Sequence, residues 1–184
     1  MANQSNLSRD ETAALILLAA ILFGGMFRLL PAWLAGFPVN DGGMFYAMMK
    51  DLQANRYIPP LYTSYNQLDI PFAYPPLGLY LGAGLNELTG MSLISVLQWL
   101  PPVVHTACVP ALYYLARELT GDKLTSAAAA LAFALTPHLN AWLSAGGGLT
   151  RSFGALFLIL TILFSYRLLA KNNARAIGWA ILFG

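Results

Sequence analysis

Long stretches without a single charged residue constrain this chain more than any other feature. Residues 12–27, 88–116, 124–150 and 152–166 contain no Asp, Glu, Lys or Arg. A helix needs about 20 mostly apolar residues to cross the hydrocarbon core of a bilayer. The second and third runs are long enough. The first reaches that length if it continues to Leu30 with Arg28 snorkelling at its end, and the fourth if it takes in Arg167 and runs on to Ala170. Composition agrees: 58% of the residues are hydrophobic and 10% charged, against roughly 25% charged in soluble domains. A net charge of +2 provides no basic field for a nucleic-acid partner. Cys108, the one cysteine, excludes an intramolecular disulfide and a cysteine-based metal cluster.

The fold class is therefore an all-α, polytopic integral membrane protein. Spans are predicted over 12–30, 93–116, 124–144 and 152–170. The apolar stretch 176–184 is read as the first half of a fifth, which makes the chain the N-terminal part of one longer transmembrane domain. Pro101, Pro102 and Pro110 predict kinks in the second span. The connection 31–92 holds two expected interfacial helices. Over about 41–56, Phe45, Met48, Met49 and Leu52 follow the i, i+3, i+4, i+7 spacing of an amphipathic helix, expected to lie with its apolar face on the membrane. The glycine-rich 76–88 covers only about 20 Å as a helix and is read as not crossing. An N-terminus in the cytoplasm then leaves Arg9, Arg117, Lys123, Arg167, Lys171 and Arg175 inside, and the loops around Asp41 and Arg151 on the extracytoplasmic face.

A family resemblance rests on the order of several weak motifs. The first span ends in Arg28-Leu-Leu, and an acid, Asp41, opens the outer loop before an amphipathic helix. Tyr74-Pro-Pro-Leu-Gly-Leu-Tyr80 follows, and a later helix ends Leu112-Tyr-Tyr-Leu-Ala-Arg-Glu-Leu-Thr-Gly121. From Thr12 onward the chain resembles the N-terminal third of GT-C membrane glycosyltransferases: protein O-mannosyltransferases, aminoarabinose transferases and oligosaccharyltransferase catalytic subunits. The resemblance implies an enzyme that takes a sugar from a polyprenyl-phosphate-linked donor and passes it to a protein, lipid or glycan acceptor outside the cell or plasma membrane. These 184 residues alone are not expected to be active. In the family the first outer loop supplies an essential acid, and Asp41 is the matching position. The second outer loop of oligosaccharyltransferases carries paired acidic metal ligands, where this chain has Gly148-Leu-Thr-Arg151. A divalent cation, Mg or Mn, held by Asp41 and a metal-independent reaction both stay open.

Each candidate has a plain structural alternative. Asp41 between Asn40 and two glycines fits a helix N-cap; as a functional group it is a general base or a metal ligand. Arg151 fits a snorkelling anchor. With Gly146, Gly147 and Gly148 before it, it also fits a phosphate clamp beside an anion nest of backbone N–H groups. Asp69 before Ile70-Pro71 reads as a turn residue or a second acid that binds substrate. His105 and His138 read as intramembrane hydrogen-bonding groups. A transporter with 76–88 as a broken helix, or a non-catalytic scaffold, are the alternatives to an enzyme.

Overall fold

The computed structural model describes residues 7–38, 40–136, 142–144 and 148–184. Its elements are α1 (Arg9–Ala35), α2 (Gly42–Ala54), the short antiparallel strands β1 (Tyr62–Thr63) and β2 (Ile70–Pro71), α3 (Leu77–Thr89), α4 (Leu93–Thr120), α5 (Lys123–Ala134), α6 (Gly148–Leu169) and α7 (Ile177–Phe183). The protein is an all-α polytopic membrane protein. Among the described residues α1, α4 and α6 are long and apolar enough to cross a bilayer. Only 28% of the most apolar window of α1 and 11% of that of α6 is buried inside the protein, an outward-facing apolar surface suited to lipid and not to water.

Local chemistry moves several boundaries. Ser8 and Glu11 form a reciprocal capping box: the Glu11 N–H donates to Ser8 Oγ (3.2 Å) and the Ser8 N–H to Glu11 Oε2 (2.8 Å). The first helix therefore starts at Arg9. It runs through Pro31 to Ala35, and Gln98 donates to the Ala32 carbonyl (2.7 Å), one of the acceptors a helix end leaves over. This extension overturns the reading of Arg28 as a snorkelling terminus. Arg28 lies well inside the helix and is fully buried. In α4 the helix continues through Pro101, Pro102 and Pro110, although each proline removes one backbone donor. It stops at Gly121, φ 72°, in the left-handed conformation that ends helices. The expected span 124–144 lies partly outside the described residues, and its described beginning is α5, 12 residues long. Asp122 caps α5 by accepting the Thr125 N–H (2.8 Å). That backbone bond, with the Thr125 hydroxyl and Arg9, holds its carboxyl below the usual range.

The chain divides into two compact units. One comprises the residues up to Met26, Thr106–Thr136 and Leu156–Gly184. Ala20, Val109, Ala130 and Ala134 form its small core. Ion pairs join Arg9 to Asp122 (3.0 Å) and Arg167 to Glu118 (2.6 Å), with Lys123 on Asp10 and Lys171 on Glu118.

The other unit, Phe27–His105 with Pro137–Ala155, carries the candidate site. Phe45, Met48, Met49 and Leu52 of α2 are buried with Leu79 and Ala83 of α3, Leu93 and Leu97 of α4 and Leu149 of α6. The apolar stripe of α2 therefore belongs to a protein core and does not rest on the membrane as the sequence led us to expect. Helical spacing identifies an apolar face but not what covers it. Gln53 Nε2 ties α2 to α3 by donating to Asn86 Oδ1 (2.6 Å). Asp51 ties it to the β1–β2 hairpin by accepting from the Thr63 hydroxyl (2.8 Å), the Ser64 N–H (2.8 Å) and the Ser64 hydroxyl (2.6 Å).

Candidate functional site

The start of α2 is set by close packing on both sides. A Cβ on Gly42 would lie 2.8 Å from Pro38 Cβ, and one on Gly43 3.3 Å from the Tyr65 ring. Phe45, one turn on, meets Tyr74 edge to face with centroids 4.8 Å apart. Asn40 adopts φ 60° and turns the chain into Asp41, which occupies the N-cap position. Its backbone (φ −71°, ψ 8°) departs from the usual extended cap, and its side chain makes no capping hydrogen bond. The carboxylate, 52% exposed, lies 3.9 Å from Arg151 Nη2. At that distance the two are an ion pair without a direct hydrogen bond.

Arg151 sits in the first turns of α6. Leu149, two residues earlier, is fully buried, and the backbone here lies directly on α3. A Cβ on Gly78 would be 3.2 Å from the Leu149 carbonyl oxygen and 3.2 Å from Thr150 Cα. The Arg151 side chain is 23% exposed, and its guanidinium carbon lies 4.3 Å from the centre of the Trp142 ring. Two stretches far apart in sequence thus bring an acid and an indole to the same guanidinium.

Gly148 was expected to help form a nest at positive φ. Instead it is the first residue of α6 and is not among the glycines with positive φ. Its missing side chain serves close packing, since a Cβ there would run into the Leu143 carbonyl. Gly146, Gly147 and His138 lie outside the described residues. Asp69 is exposed on the turn before β2 with φ 48°, a conformation that Asp tolerates in turns. His105 is fully buried, its Nδ1 3.3 Å from the Ser144 hydroxyl. Trp142 was missed: it lies in an uncharged run that reads as the end of a span, and nothing in its spacing marks it. For a divalent cation the described residues offer no group of three or more His, Cys, Asp or Glu. Asp41 alone, beside a fixed guanidinium, does not fit a divalent cation, which calls for several oxygen ligands and no neighbouring positive charge.

Residues 73–184, well over half of the chain, match the sequence model of a family described as dolichyl-phosphate-mannose-protein mannosyltransferase. The chain belongs to that family. It is a membrane glycosyltransferase of the GT-C type. The matched segment includes Arg151, Trp142 and all of α3, while Asp41 precedes it. No curated protein and no solved structure matches the chain.

Proposed function

We propose that this mannosyltransferase-family protein moves a sugar, with mannose the first candidate from the family description, from a polyprenyl-phosphate donor to an acceptor hydroxyl on the extracytoplasmic face. The acceptor is a protein, as in the family description, or a lipid or glycan. The observation that carries this reading is the approach of Arg151 to Asp41 within 3.9 Å, with the Asp41 carboxylate taking no part in capping. As the acceptor oxygen attacks the anomeric carbon, Asp41 takes the hydroxyl proton. The bond from that carbon to the phosphate oxygen breaks, and its electron pair leaves with the lipid phosphate. Arg151 holds that phosphate through charge-assisted, bidentate hydrogen bonds. Gly147 is assigned to the same headgroup.

The test is Asp41→Asn in the reconstituted protein, with polyprenyl-phosphate mannose as donor. Amide replaces carboxylate at equal size, so transfer falls by about 10²-fold or more, the usual contribution of a general base, while thermal stability is unchanged. Full transfer in that variant would remove Asp41 from the chemistry.

A further inference from the structure

Arg151 emerges from the early turns of α6, where the helix dipole places positive potential and disfavours a cation. An arginine there needs a compensating contact to hold one orientation. Asp41 lies 3.9 Å away, too far for a direct hydrogen bond. Trp142 is different: the guanidinium lies over its ring at 4.3 Å, well inside the range of an effective cation–π contact.

A cation–π contact uses the face of a guanidinium, whereas its N–H donors lie in its plane and are the groups that pair with phosphate. The indole is 68% exposed, in keeping with the preference of tryptophan for the headgroup level of a bilayer. A lipid phosphate lies at that same level.

We infer that Trp142 is a positioning residue: its ring fixes the plane of the Arg151 guanidinium so that the in-plane donors meet the phosphate of the lipid-linked sugar. This rests on the clamp reading of Arg151. Because Trp142 is largely exposed, truncating it opens no buried cavity. Its effect on donor binding is separable from an effect on folding.

The experiment measures binding of a short-chain polyprenyl-phosphate mannose to the protein in phosphatidylcholine nanodiscs. The variants are Trp142→Leu, Trp142→Phe, Arg151→Ala and the double variant Trp142→Leu/Arg151→Ala. Trp142→Leu is expected to weaken binding about three- to tenfold, and Trp142→Phe to restore most of it, since phenylalanine keeps a π face. The double variant is expected to bind no more weakly than Arg151→Ala alone. If Trp142→Leu binds normally, or its loss persists undiminished without Arg151, the positioning role is overturned while the clamp stands. If Arg151→Ala itself binds normally, the clamp reading fails and the positioning role falls with it.

Discussion

At the scale of single residues, a charge in an apolar chain has to be explained by what surrounds it. Asp41 and Arg151 were legible as candidates because acids and bases are scarce here and both sit at loop-to-helix junctions. Their mutual approach was not legible, since the 109 residues between them, 42–150, carry no pairing signal.

 42–150 is simply too long a stretch for local spacing to say which loops meet. Trp142 was invisible for a related reason: an indole in an uncharged run looks like any other lipid-facing aromatic until the guanidinium is seen over it. Arg28 misled in the opposite direction, because its depth depends on where α1 ends, and α1 runs on to Ala35. Arg151→Lys separates an anchor from a clamp. Lysine keeps the snorkelling charge but loses the planar fork, and a charge-assisted hydrogen bond contributes roughly 1.5–3 kcal/mol. Donor affinity, measured by titrating the lipid-linked sugar at equal folded protein, is expected to drop by about tenfold or more. Unchanged affinity would leave Arg151 as a membrane-boundary residue.

At the scale of elements, the amphipathic period of α2 and the short length of α3 were readable from the sequence, and the partner of each face was not. The glycines of α3 show why. The short length of this helix suggested that it does not cross, but the packing of its glycines is individual. A Cβ on Gly84 meets nothing within 4 Å, one on Gly82 meets the flexible end of Met49 at 2.8 Å, and one on Gly78 meets the α6 backbone at 3.2 Å. Alanine in place of glycine inside a helix is favourable by about 0.5–1 kcal/mol where space allows. Gly84→Ala is therefore expected to be neutral or to raise the unfolding temperature, and Gly82→Ala to change it little. Gly78→Ala is expected to lower it, by overpacking that costs about 1–3 kcal/mol, and to weaken donor binding by shifting the backbone that carries Arg151. Thermal unfolding of the three variants in one detergent checks the order. Equal effects at all three positions would show that α3 does not pack on α6 in this way.

At the scale of the whole molecule, membrane class was legible from the uncharged runs, because a bilayer imposes a length and an apolarity that few other environments demand. Sidedness was less legible, since basic residues fall on both sides of the chain's spans in either topology. The proposed site requires the loop before α2, the end of α3 and the segment before α6 to face one compartment. Phe37, Leu88 and Trp142 are 58%, 88% and 68% exposed, and they report those three places. Introduced one at a time as cysteines in a Cys108→Ser background, they are to be labelled in sealed cells with a membrane-impermeant maleimide. All three are expected to react from the outside. Labelling of Phe37→Cys and Trp142→Cys from opposite faces would contradict a shared site for Asp41 and Arg151, and a Leu88→Cys reached only from inside would show that α3 crosses the membrane.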